Sequence, residues 1–331
     1  MRTTGVGSMP GSDFREATRI VADVMPDLLA WPEVPGRDAS STMIGRTLGL
    51  LPQPSNLTPD GWRLSGVTDT AQQRAGRWWR NDLDDFEELT QHHEGTVKIA
   101  LAGPWTLASS VRLAHPTLNH VLADEGACRD VAQALVDAAA DLAAVIHWRL
   151  GRPLIVQIDE PAIGAVLAAG IPTFSGLGRY RVPQVDEVLA SWRGLTQTLE
   201  GLAGVEGVWL HTCAPGLDVE LARRAGFSGL ALDARHLDPV MFDACGHWLD
   251  EGRSLGLGVV RTDRVDVPSV DRLVTDALAT LRSWELDPDL LDAHVVLSPA
   301  CGLAGWPVLD AGQVLDRLGQ AAGLIVEQLR S

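Results

Sequence analysis

A chain of 331 residues that is 46% hydrophobic and 21% charged holds enough apolar material for a large core. Its net charge of −16 would repel a nucleic-acid duplex or an anionic membrane, so neither is an expected partner. No apolar run approaches the roughly 20 residues of a membrane span, the N-terminus lacks the apolar core of a signal peptide, and four cysteines are too sparse for a disulfide framework.

Reduced thiols and a cytoplasmic location are therefore expected. Of the 27 basic side chains only Lys98 is a lysine, so Schiff-base chemistry would rest on one residue. Along the chain, short apolar runs alternate with amphipathic stretches. The first run closes at Val6-Gly7-Ser8, and 13–25 then reads as a helix capped by Ser12 or Asp13. Further runs follow at 28–31, 96–101, 154–158, 205–210, 229–232, 257–260 and 294–297. Helical periodicity is clearest over 128–149, 268–281 and 308–329, with Pro268 opening the second of these. Eight short strands alternating with helices predict a parallel (β/α)8 TIM barrel, a doubly wound sheet being the rival. The chain reads as one catalytic barrel domain over 1–331. An excursion at 52–79, rich in Pro, Asn, Asp and Gly, has a hairpin tip at Asp60-Gly61.

Barrel chemistry sits where strands end, and those positions are polar here: Ser8, Asp159-Glu160, His211-Thr212-Cys213, Asp233, Arg261-Thr262-Asp263 and Ser298-Pro299-Ala300-Cys301. His211 and Cys213 are two apart at the end of an extended segment, so both can face one way. With Cys301 and Asp233 from neighbouring strand ends they make a zinc-type donor set. Isolated cysteines are commonly ordinary buried thiols, and Cys128 and Cys245 read so. Asp159-Glu160 has two readings, a helix N-terminus that welcomes acids and a buried functional pair that needs donors or a cation. Trp78-Trp79 reads as packing, and no glycine-rich phosphate loop follows a strand.

Taken together, Val6-Gly7-Ser8-Met9-Pro10, Gly103-Pro104-Trp105-Thr106-Leu107, Gln157-Ile158-Asp159-Glu160-Pro161-Ala162, His211-Thr212-Cys213 and Ser298-Pro299-Ala300-Cys301-Gly302-Leu303 resemble the cobalamin-independent methionine synthase family. The likeness is to its C-terminal catalytic barrel and implies the short, single-barrel form, in a fold class shared with uroporphyrinogen decarboxylase. It implies Zn2+ at His211, Cys213 and Cys301, with Asp233 where the family usually has glutamate. It also implies homocysteine contacts by Ser8, Glu33 and Asp159, and methyl transfer to the homocysteine thiol to give methionine. The donor half departs from the pattern. Asp263 stands where a proton-donating histidine is expected, Ala165 replaces a glutamate, and Ala108-Ser109 lies where a tryptophan is expected. Asp263 is thus the candidate catalytic acid, and the methyl donor is methyltetrahydrofolate or a methyl-corrinoid. Other readings are a different thiol acceptor, a purely structural zinc, or a decarboxylase-like or non-catalytic tetrapyrrole-binding barrel.

Overall fold

The computed structural model describes residues 1–331. Its ten strands are β1 (Arg2–Thr3), β2 (Leu28–Ala30), β3 (Ser55–Thr58), β4 (Gly61–Leu64), β5 (Thr96–Ala102), β6 (Leu154–Asp159), β7 (Val205–Thr212), β8 (Gly229–Asp233), β9 (Ser254–Val260) and β10 (Val295–Pro299). Eight of them form one parallel sheet in the order β1-β10-β9-β8-β7-β6-β5-β2. That order is the chain order run around a ring, and helices fill the connections. The two edge strands approach each other just beyond their ends, where Ser8 bridges Glu33 in parallel. There the Met9 N–H donates to the Glu33 carbonyl at 2.7 Å and the Glu33 N–H to the Gly7 carbonyl at 3.0 Å. The product is a nearly closed (β/α)8 barrel, as the alternation predicts. Strands covered on both faces read as unbroken apolar runs, and β5 and β6 are buried at every residue.

Inside the barrel Leu28, Ile155, Trp209, Ala231 and Val296 form a small apolar cluster separate from the main core. Trp209 is its largest member. Gly229 leaves room for the indole, since a Cβ there would stand 2.3 Å from Nε1. Side chains alternate across a strand with period two. The same inward column that holds Ile155, Trp209, Ala231 and Val296 therefore continues upward to Gln157 and Asp159, His211, Asp233, and Ser298. Apolar filling gives way to polar groups toward the mouth.

Most predicted helices stand where expected, with shifted ends. Asp13 caps Phe14–Val24, accepting from the N–H groups of Arg15 and Glu16. The periodic stretch at 128–149 lies within Glu125–Leu150, and the last helix is Val308–Leu329. Pro268 does not open its helix; Ser269 caps Val270–Ser283 instead, because its hydroxyl can accept from the Arg272 N–H. The excursion at 52–79 divides. Its first part is the antiparallel β3–β4 hairpin turning at Asp60-Gly61, and its second part is the start of the barrel helix Thr70–Thr90. Contrary to the sequence expectation, Glu125–Leu150 is long and apolar enough to cross a membrane by length and composition. Its most apolar stretch is 56% buried, and it packs on β6 and the helix Val185–Glu200.

Glu160 does not cap the helix that follows it, Ile163–Leu167, whose start has no side-chain cap; donors from elsewhere in the barrel meet it instead. This fully buried carboxylate accepts from the N–H of Trp105 (3.0 Å) and of Thr106 (2.7 Å), the Thr106 hydroxyl (2.7 Å) and Trp192 Nε1 (3.2 Å). It thereby holds the start of the helix Pro104–Ser110 against the top of β6. Burial pushes it up to about 7 against those four donors. Gly103 must be glycine for this contact, because a Cβ would lie 2.4 Å from the carboxylate carbon. Glu160→Ala would leave the donors stranded, and denaturant unfolding is expected to show a loss of about 3 kcal/mol. A loss below about 1 kcal/mol would contradict the anchoring role.

Candidate active site

The mouth is organised from Asp159 outward. Its Oδ1 accepts from Gln157 Nε2 at 2.7 Å and meets His211 Nδ1 at 2.9 Å. Gln157 is fixed in turn, donating to the Val6 carbonyl at 3.0 Å and accepting from Lys98 Nζ, which also reaches Val6 at 3.3 Å. Lys98 is buried among these partners, and burial pulls its ammonium down to about 8 against the charges of Asp159 and Glu33.

Burial opposes a charge on His211, but the hydrogen bond and charge of Asp159 outweigh it and raise the imidazole above its ordinary value. With Nδ1 engaged, Nε2 is buried and has no partner. A histidine oriented through one nitrogen with the other free is arranged as metal-ligating histidines are.

Two sulfurs from different strand ends, Cys213 and Cys301, stand beside it. The Cys213 thiol hydrogen-bonds to Cys301, which brings Cys301 down to about 6 despite burial, with help from the His211 charge and the Gly302 N–H. The same bond, with burial, pushes Cys213 far up.

Ser8 and Glu33 arrive together because the barrel closes through them. Gly302 packs against Ser8 so closely that a Cβ would meet its Oγ at 1.8 Å, and the Leu303 N–H donates to the Ser8 carbonyl at 2.7 Å. Glu33 pairs with Arg46 Nη1 at 2.6 Å, and Arg46 lies over the Trp79 ring at 4.1 Å. Burial raises Glu33 to about 7, with Arg46 pulling the other way and Asp159 adding to the rise.

Two expectations meet a different geometry. Asp233, 2% exposed, is taken by Arg235: Nη2 reaches Oδ2 at 2.6 Å and Nε reaches both oxygens at 3.1 Å. The structure thus joins His211 to Asp159 and Asp233 to Arg235. It gathers no cluster of three or more His, Cys, Asp or Glu groups that could hold a metal ion. The donor chemistry still fits zinc through the thiol pair and the orphaned His211 nitrogen, while the predicted carboxylate is engaged elsewhere. Asp263 is the second case. Its side chain is 52% exposed and pairs with Arg261 (2.8 Å) and Arg235 (3.3 Å). The Arg261 hydrogen bond, then that of Arg235, holds it well below the usual carboxylate range. It carries no proton near neutral pH and does not meet the requirement for a general acid.

Lys98, Gln157, Arg46 and Arg235 were not singled out as site residues from sequence. Lys98 and Gln157 carried a signal, as polar side chains inside apolar strands. The families that share this architecture are many, so the sequence itself decides membership. A family described as cobalamin-independent synthase, catalytic domain, matches residues 86–323. The chain belongs to that family. Among solved structures, this family member is similar to a B12-independent methionine synthase from Shewanella sp. W3-18-1 in complex with selenomethionine. The TM-score is 0.63 at 15% identity, covering 99% of this chain and 98% of that one. A methyltransferase from Methanosarcina mazei is a looser match, with a TM-score of 0.49 at 13% identity over 100% of this chain and 95% of that one. No curated protein sequence matches the chain.

The Asp159–His211 pair is directly testable in metal-free protein. Asp159→Asn is expected to lower the His211 titration midpoint, followed by NMR. Because the fold raises the imidazole pKa, the pair's stabilising contribution is full below the ordinary histidine value near 6.5. It fades as pH rises through the raised value, so the stability gap between wild type and variant should shrink across that window. A gap that widens with pH would show that Asp159 does not favour the imidazolium.

Proposed function

We propose that this protein is a zinc-dependent methyltransferase that places a methyl group on the sulfur of homocysteine, forming methionine. Family membership supports methyl transfer. The observation that carries the finer reading is an imidazole held by Asp159 through Nδ1, its buried Nε2 free, at the end of the strand that Cys213 directly follows. His211, Cys213 and Cys301 would hold the ion, and Asp233 would join them as a fourth ligand only once freed from Arg235. Bound zinc would supply the charge that keeps a substrate thiol ionised near neutral pH.

The other tasks fall to side chains of the chain. Asp159, fixed by Gln157, offers a carboxylate to the substrate ammonium, and Glu33 offers a second from across the barrel seam. The Ser8 hydroxyl, beside Gly302, would hold the polar end of an amino acid. The substrate sulfur attacks the methyl carbon, an S–CH3 bond forms, and the bond from methyl to donor breaks with its electron pair remaining on the donor. The four cysteines are all free, which suits work in a reducing cytoplasm.

Asp263 bears on the donor. The tertiary amine of methyltetrahydrofolate leaves readily only when a proton is supplied, and the arginine-bound Asp263 has none to give. A methyl-corrinoid releases its methyl group with the electron pair left on cobalt and needs no proton. This favours the corrinoid as donor over the folate.

Purified under reducing conditions, the protein is expected to carry about one zinc per chain, and Cys301→Ser should lose most of it, since a hydroxyl is a poorer ligand than a thiolate. Full occupancy in both Cys213→Ser and Cys301→Ser would sink the metal reading. For the donor, kcat/KM for homocysteine methylation is expected to be higher with the methyl-corrinoid than with methyltetrahydrofolate. Efficient turnover from the folate alone, abolished in Asp263→Asn, would reject the corrinoid and make Asp263 the acid after all.

A further inference from the structure

Asp233 occupies an inward position of β8. It stands two residues beyond Ala231, which pairs in register with His211 and belongs to the barrel-filling cluster. Its backbone therefore aims the side chain at the interior side that His211 shares. A shorter acid than glutamate has little reach, and here both of its oxygens are taken by one guanidinium. That guanidinium is itself secured. Asp263 accepts from Arg235 Nη1 and from Arg261 Nη2. Four alternating charges, Asp233, Arg235, Asp263 and Arg261, thus run from the buried strand end to the exposed loop after β9. Beside them lies a cavity of about 240 Å³ whose lining includes Asp233, Arg235, Arg261 and Arg272, so the Arg235 side chain has space to withdraw.

The geometry points to Arg235 as a latch on Asp233: it holds this carboxylate away from the candidate ligand set, so that zinc there would be bound by His211, Cys213 and Cys301 without it. The inference rests on the zinc reading above. The competition is stoichiometric. A fork that binds both carboxylate oxygens must release at least one before that oxygen can coordinate a metal. Asp263 acts through Arg235, keeping the fork facing Asp233, and both are positioning residues rather than catalytic ones.

Zinc affinity reads the latch without any turnover. The test is competition with a chromophoric chelator on the full chain, for wild type, Arg235→Gln, Arg235→Lys, Asp233→Ala, Asp263→Asn and the Asp233→Ala/Arg235→Gln double variant. Arg235→Gln is expected to bind zinc about tenfold more tightly, because Asp233 is freed, while Asp233→Ala alone stays within about twofold of wild type. The double variant should fall back to the Asp233→Ala value. Arg235→Lys keeps the charge but loses the fork, so it should tighten zinc part of the way, and Asp263→Asn should do so more weakly. Should Arg235→Gln fold poorly, the lysine variant carries the same comparison. Unchanged affinity in the Arg235 variants overturns the latch. Tightening that survives in the double variant also overturns it, since the effect is then only the removal of a positive charge near a dication. A wild-type protein that takes up no zinc overturns the metal reading itself, a failure distinct from the other two.

Discussion

A carboxylate sunk in the mouth of an apolar barrel persists only where donors meet it, and Asp159 is met by Gln157 and His211 on the same oxygen. The rest of the site depends on this contact. It orients the imidazole, and so decides which ring nitrogen stays free. It is backed by Lys98 and by the Val6 carbonyl through Gln157, which ties together the segment after β1 and strands β5, β6 and β7. A buried network of this kind is stable when every member is satisfied and costly when one is missing. Its satisfied members lie below the mouth, and its one open valence, His211 Nε2, belongs to the candidate metal-ligand set.

Closure of the barrel is what brings Ser8 and Glu33 together. The seam between β1 and β2 is made by Gly7, Ser8, Met9 and Glu33 rather than by the short strands themselves. Ser8 and Glu33 cannot be displaced without opening the ring. The acid at the seam is kept by Arg46, which is in turn sandwiched against Trp79 of the helix Thr70–Thr90. Glu33 is therefore supported from outside the barrel by ordinary packing.

Much of the fold was legible because parallel strands covered on both faces leave unbroken apolar runs, and seven of the eight runs lie on strands of the ring; the first, closing at Val6-Gly7-Ser8, stands beyond β1 (Arg2–Thr3) at the seam. The polar residues at their ends could be found in the same way. Less legible was anything that depends on which face of a strand turns inward. Lys98 and Gln157 sit inside apolar runs, and only closure of the ring shows that they share an interior column with Asp159. Arg235 escaped notice because a short helical turn, Ala234–His236, folds it back onto Asp233 two residues earlier. Asp263 looked like a proton donor by its place after β9. Its partners come from two loops, and an ion pair between loops leaves no periodic trace in the sequence. The boundary at Pro268 was misplaced for a local reason, since Ser269 offers a capping oxygen and proline only a tolerated start.

Burial of Lys98 has a chemical consequence for the whole exterior. With 26 arginines and this single lysine, which is 2% exposed, the folded surface presents no lysine side-chain amine. Acylating dyes, succinimidyl cross-linkers and lysine-directed tagging enzymes therefore find no side-chain target until the barrel opens. Amine labelling at Lys98 consequently reports unfolding of this molecule rather than its surface.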